Sequence, residues 1–121
     1  ATALSLAAAN GHEKLVELAL RHGAGINQRS EFGITALINA AGRGQEKLVD
    51  TLIRHGAEIN LQANNGFTAL MLAAANGHSA VMLRLLRAGA DTAARTASGK
   101  TALQLAKEKG HTECVKVLSE A

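Results

Sequence analysis

The sequence predicts an all-α protein made of stacked helical hairpins, and two observations lead to this prediction. The tripeptide Thr-Ala-Leu begins at Thr2, Thr35, Thr68 and Thr101, so that one unit recurs every 33 residues without insertion or deletion. Each unit then holds two apolar stretches of helical character, and a glycine follows each stretch except the last one in the chain. Since a single hairpin of this size cannot bury its own apolar face, neighbouring units must stack.

The first helix of each unit is predicted to begin just after the threonine, whose hydroxyl can accept a bond from an unpaired backbone N–H. The residues that follow are almost all Ala and Leu, which favour helix. Each first helix is expected to stop at a glycine, because a left-handed backbone is least costly there. These glycines are Gly11, Gly44, Gly77 and Gly110.

The second helix is exemplified by residues 13–21, where Leu15, Val16, Leu18 and Leu20 recur at helical spacing. It is predicted to end at Gly23, Gly56 and Gly89 in the first three units. About eleven residues then lead to the next threonine, a length that is unusual for a formless loop. Gly33, Gly66 and Gly99 indicate a tight turn near the end of this segment.

These motifs resemble the ankyrin repeat family along the whole chain. The matching features are the Thr-x-Leu helix start, the paired alanines such as Ala40-Ala41, the Gly77-His78 dipeptide and the Gly-Ala-Glu-Ile-Asn run at 56–60. The resemblance implies an ankyrin solenoid with β-turn loops. It further implies one domain, 1–121, with units 2–34, 35–67 and 68–100 and a polar C-terminal cap at 101–121.

Three departures from the family pattern predict local differences. The usual proline is absent, and Ser5, Ile38, Met71 and Gln104 replace a histidine that ties neighbouring repeats together, so apolar packing must contribute more to stacking. Asn39 stands where other units have Leu, and it needs a partner if it is buried. Ser30, Ala63 and Thr96 replace the Asp that often begins the turn, so we expect less firmly held turns.

The resemblance implies a protein-binding role for residues beside the turn glycine and at the ends of the first helices. Both phenylalanines of the chain lie there, either as anchors for a partner or as packing beneath the next loop. The candidate residues are Arg29, Glu31, Phe32 and Ile34; Gln62, Asn64, Asn65 and Phe67; Arg95, Ala97, Ser98 and Lys100; and Asn10, Arg43, Asn76 and Lys109.

Composition argues against other classes of function. The net charge is +3, the bases are spread along the chain and no aromatics alternate with them, which argues against a nucleic-acid partner. The histidines recur at fixed phase and the single cysteine, Cys114, aligns with core residues, so we expect no catalytic, cofactor or metal site. No apolar run is long enough for a membrane span and no signal peptide opens the sequence, which favours a soluble, intracellular protein.

Two irregularities lie on the second helices. Arg21, Arg54 and Arg87 form a basic row, either as a solvated face or as a contact for an anionic partner. Leu83 stands where other units have a charged residue, and Arg84 falls at a position expected to point inward. Local repacking or a salt bridge would explain this pair, and an exposed apolar patch is the alternative.

The sequence therefore favours a non-enzymatic scaffold that binds a protein partner whose identity it does not specify. The alternatives are an engineered or consensus-derived scaffold, a docking domain cut from a larger protein, and a small enzyme. Because the first unit reads like an interior repeat, we expect further repeats upstream or a self-contact that covers Leu4 and Leu6.

Overall fold

The computed structural model describes residues 13–21, 25–30 and 33–121. Those ranges contain seven helices and no strand, which confirms the all-α prediction. The helices are α1 (Glu13–Arg21), α2 (Ala36–Gly42), α3 (Glu46–Arg54), α4 (Ala69–Ala75), α5 (Ser79–Arg87), α6 (Ala102–Glu108) and α7 (Thr112–Glu120). The helix predicted after Thr2 lies outside the described residues. None of the seven has the length and apolar character needed to traverse a bilayer.

The helices form two layers in chain order. The short helices α2, α4 and α6, here called the first helices, pack against one another in that order. The longer helices α1, α3, α5 and α7, the second helices, form the other layer and also pack each against the next. Each first helix packs against the second helix that follows it, so the predicted stack of hairpins is present.

Small residues let the first helices approach closely. The side chains of Ala40, Ala41, Ala73, Ala74 and Ala106 have no exposed surface at all. Larger apolar side chains fill the space between the layers, and all of them are buried. These are Leu37, Leu48, Leu52, Leu70, Met82 and Leu85. The alanines therefore allow neighbouring units to lie close together, and the larger apolar side chains fill the core between the layers.

The first helices begin as the sequence predicts. The Oγ1 of Thr35, Thr68 and Thr101 each accepts a bond from the backbone N–H three residues later. Met71 and Gln104, which replace the family's histidine, also bond locally: the Met71 sulfur accepts from the N–H of Thr68, and Gln104 Oε1 accepts from the N–H of Thr101. Met71 is itself buried, which agrees with the expectation that apolar packing contributes more to the stacking of units here.

Two polar residues in the helices have partners. Asn39 is half-buried, and its Oδ1 accepts a bond from Arg43 Nε at 2.9 Å. Arg84 pairs with Asp50 on the neighbouring helix, as the salt-bridge explanation predicts, and Leu83 is exposed, as the alternative predicts, so both features are present. The residues that align with Arg84 in the other units do not all point inward, contrary to the prediction. Thr51 is 2% exposed, whereas Leu18 is 49% exposed.

Candidate partner-binding surface

The segments between units end in the β-turns that the sequence predicts. In the central one, the Gly66 N–H donates to the Ala63 carbonyl and the Ala63 N–H donates to the Phe67 carbonyl, both at 2.8 Å. The turns at 30–34 and 96–100 have the same two bonds. The described residues at the base of all three turns therefore share one backbone bonding pattern.

Side chains hold the turns more firmly than we expected. The hydroxyls of Ser30 and Thr96 each accept a bond at 3.2 Å from the backbone N–H four residues later. Ala63 has no such group, but Asn65 Oδ1 accepts from the Phe67 N–H at 3.1 Å. A hydroxyl or a nearby amide thus does what the family's Asp does, and the prediction of loose turns is wrong.

Neighbouring loops are also bonded to each other. Arg29 Nη1 donates to the Gln62 carbonyl and Gln62 Nε2 donates to the Arg95 carbonyl, both at 3.0 Å. The Ala97 N–H donates to the Asn65 carbonyl at 3.0 Å. We call these three bonds the cross-loop ladder. Arg29, Gln62 and Arg95 are predicted partner contacts from sequence, and their bonds between loops are a role that the prediction lacks; polar residues at 33-residue spacing are its signal in the sequence.

Gly66 shows how closely the loops approach. Its φ is +84°, and a Cβ atom added there would lie 2.7 Å from the backbone nitrogen of Ala97 in the next loop. An L side chain is therefore disfavoured both by the left-handed backbone and by the neighbouring loop.

Histidines join the ends of the first helices to the next unit. His78 Nε2 donates to the Gly42 carbonyl at 3.1 Å, and the Asn76 amide donates to the same oxygen at 2.9 Å. His111 Nε2 donates to the Ala75 carbonyl at 2.9 Å. These bonds satisfy helix-terminal carbonyls, which is the structural role that the period of the histidines indicated.

Nine of the predicted contact residues are exposed and lie along the turns and the first-helix ends. We call them the loop-tip surface: Arg29, Arg43, Gln62, Asn64, Asn65, Asn76, Arg95, Ser98 and Lys109. Ala97 is exposed in the same row. Glu31, Phe32 and Asn10 lie outside the described residues.

Three further candidates are half-buried and serve the fold. Phe67 and Ile34 pack against the core, so for Phe67 the packing alternative is correct. The Lys100 ammonium lies 2.7 Å from a carboxylate oxygen of Glu108 at the end of α6. The exposed part of the candidate surface is therefore more polar than an outward-facing Phe67 would have made it.

Among the described residues, the cysteine is not activated and no metal-ligand cluster is present. Cys114 is 1% exposed, and burial, with a smaller contribution from the Glu113 carboxylate, raises the pKa of its thiol above the ordinary value. The thiol is therefore protonated near neutral pH and is a poor nucleophile. Within the described ranges, no three His, Cys, Asp or Glu side chains are grouped so that they could hold a metal ion.

Comparison with known families agrees with the geometry. A family model described as ankyrin repeats, in three copies, matches residues 4–96, and the model of the single ankyrin repeat matches residues 98–120. No curated protein matches the chain. Ankyrin repeats are generally protein–protein interaction modules and are typically not enzymes. With matched repeats from residue 4 to residue 120 and stacked hairpins of the same period, the chain belongs to the ankyrin repeat family.

Proposed function

We propose that this chain is a non-enzymatic scaffold that binds a protein partner through the loop-tip surface. The cross-loop ladder is the observation on which the proposal mainly depends. It holds Gln62 and Arg95 by bonds to loops one unit apart, before any partner is present. Binding then requires little further ordering of the chain, which lowers its entropic cost.

Other residues of the surface are also held in place. Arg43 is bonded to Asn39, Asn76 to the Gly42 carbonyl, and Arg95 Nη1 to the Gly99 carbonyl at 2.7 Å. Side chains that are fixed in this way keep their remaining donors directed at solvent. A partner can therefore be recognised with little loss of rotamer freedom.

The charge of the surface indicates what it recognises. Arg29, Arg43, Arg95 and Lys109 are exposed cations, and the nine residues of the loop-tip surface include no carboxylate. The amides of Asn64, Asn65 and Gln62 lie between them along the chain. We therefore expect a partner face rich in carboxylates and backbone carbonyls, which complement these donors.

Affinity capture with the purified chain tests the proposal. The test variant combines Arg43→Ala, Arg95→Ala and Lys109→Ala, and the control combines Lys14→Ala, Arg21→Ala and Lys116→Ala. Both remove three exposed cations, but the control leaves the loop tips intact. We expect a protein that is enriched by the unmodified chain and the control and lost with the test variant. Equal enrichment by all three would overturn the proposed surface.

A further inference from the structure

The second helices carry two grooves on opposite sides of α5, away from the loop tips. One groove lies between α3 and α5, is lined by Lys47, Arg54 and Arg87 among others, and encloses about 590 Å³. The other lies between α5 and α7, is lined by Leu83 and Val117, and encloses about 530 Å³. We call them the basic groove and the apolar groove.

The cations of the basic groove are available to a ligand. Arg84 pairs with Asp50 and lies 3.9 Å from Glu46, so this cluster holds one cation and two carboxylates and offsets only one of the other positive charges of the groove. Lys47, Arg54 and Arg87 are exposed. Within the part of the chain that the structure describes, none of these three has a carboxylate within ion-pair distance. The groove therefore has an uncompensated positive charge.

The apolar groove results from one departure from the repeat. Leu83 is 42% exposed, whereas the same register position holds Asp50 on α3 and Lys116 on α7. Leu86, Ala90 and Val117, all half-buried, line the groove beside it. The exposed leucine and the half-buried apolar side chains beside it form one apolar surface. Such a surface can bind an aliphatic side chain of a ligand.

Arg87 lines both grooves, so the cationic and apolar parts form one continuous surface. We propose that this surface binds an acidic peptide segment of a partner protein, with its carboxylates over the basic groove and a bulky aliphatic side chain in the apolar groove. Glu120 lines the apolar groove, and its negative charge disfavours carboxylates there. This fixes the orientation of the peptide across the two grooves. The proposal does not depend on the loop-tip surface.

The spacing of the helices indicates how far apart the two binding groups of the peptide should be. Packed helices lie about 8–10 Å apart and an extended chain rises about 3.3 Å per residue, so about three residues should separate the carboxylates from the aliphatic side chain.

A nucleic acid fits these two grooves less well than an acidic peptide does. The chain has no Trp or Tyr for base stacking, and a nucleic acid has no aliphatic side chain for the apolar groove.

Fluorescence anisotropy with a short labelled peptide tests the proposal. The peptide carries a cluster of glutamates about three residues from a pair of leucines. Two control peptides replace either the glutamates by Gln or the leucines by Ala. The protein variants are Arg87→Glu and Leu83→Lys, with Lys14→Glu as the control charge reversal, because Lys14 is exposed on α1 and lines neither groove. Because α7 already has lysine at the Leu83 register, Leu83→Lys should fold, and circular dichroism checks this.

We expect micromolar binding of the peptide. Binding should weaken by about tenfold with either control peptide, with Arg87→Glu and with Leu83→Lys, and should be unchanged with Lys14→Glu. Absence of binding would overturn the proposal. Unchanged or tighter binding to Leu83→Lys, or equal binding of a single-stranded oligonucleotide of the same charge, would also overturn it, in favour of a general affinity for polyanions. The control peptides decide the question even if a protein variant is unstable.

Discussion

The first-helix side and the second-helix side of the stack are held together by different means. On the first-helix side, alanines without exposed surface bring the helices together and main-chain groups of neighbouring loops bond directly, as Ala97 does to Asn65. On the second-helix side, long side chains such as Arg84 and Asp50 connect neighbouring helices, and grooves remain open between them. The same repeat therefore builds one closely packed face and one open face.

Residue size decides what each face can do. Small side chains remove the space between backbones, so the loop tips have little freedom to move relative to one another. Large side chains keep the helices apart, and the polar ends of these side chains stay free to contact a ligand. Substitutions that change size should therefore have large effects on the first-helix side, and loss of a charge should have small effects on the second-helix side.

The largest effect is expected for Gly66→Ala. It combines a left-handed backbone with a clash against the next loop, and we predict a loss of about 3 kcal/mol in the free energy of unfolding. Gly99→Ala is the matched control, since Gly99 has nearly the same φ, +83°, with nothing within 4 Å, and should cost only about 1 kcal/mol. Urea unfolding measures both. Equal losses would mean that the loops are not in close contact.

A somewhat smaller effect is expected for Ala74→Leu in α4. Ala74 has no exposed surface, and a larger side chain would push neighbouring first helices apart at a cost of about 2 kcal/mol. Ala80→Leu on the exposed side of α5 adds the same atoms and should change stability by less than about 0.5 kcal/mol. Thermal unfolding compares the two variants. If Ala74→Leu left the stability of the protein unchanged, this result would contradict close packing of the first helices.

The histidine bonds between units should have a moderate effect. His111→Ala removes the bond to the Ala75 carbonyl of the preceding unit, and we predict a loss of about 1–2 kcal/mol because a helix-terminal acceptor loses its partner. His55 bonds to the Thr51 carbonyl within its own unit, and His55→Ala should cost less than about 0.5 kcal/mol. Denaturant titrations give both values, and a larger loss for His55→Ala would refute the assignment.

The smallest effect is expected for the link across the second helices. Arg84→Ala breaks the pair with Asp50, but both side chains are more than a third exposed and water screens their attraction. We predict a loss of about 0.5 kcal/mol that shrinks further in high salt. Urea unfolding at low and high ionic strength provides the measurement. A salt-independent loss of several kcal/mol would mean that this side is also rigid.

Much of the fold could be predicted from the sequence because the repeat fixes the phase of every unit. Thr68 and Thr101 marked helix starts, and Gly77 and Gly110 marked stops, since each of these roles depends on local backbone chemistry. Cys114 was assigned correctly to the core by its register. Local rules of this kind need no knowledge of distant contacts.

The candidate site was less predictable because its geometry depends on contacts between units. Nothing in the sequence of one loop reveals that Gln62 bonds to Arg95 one unit later. The inward position expected for Arg84 failed because Arg84 pairs with Asp50 of the neighbouring helix, a contact between units that its own register does not reveal. Phe67 could not be assigned as packing or anchor until the position of its loop over the core was known.

The most direct test of the central claim, that the loop tips are fixed before a partner arrives, is hydrogen exchange at the Ala97 amide in the free protein. This N–H lies in an exposed loop but donates to the Asn65 carbonyl of the neighbouring loop. We predict exchange that is slowed by at least about 100-fold relative to an unstructured chain, and that approaches the rate of the amides in the middle of α4. Exchange at the unprotected rate would contradict the claim.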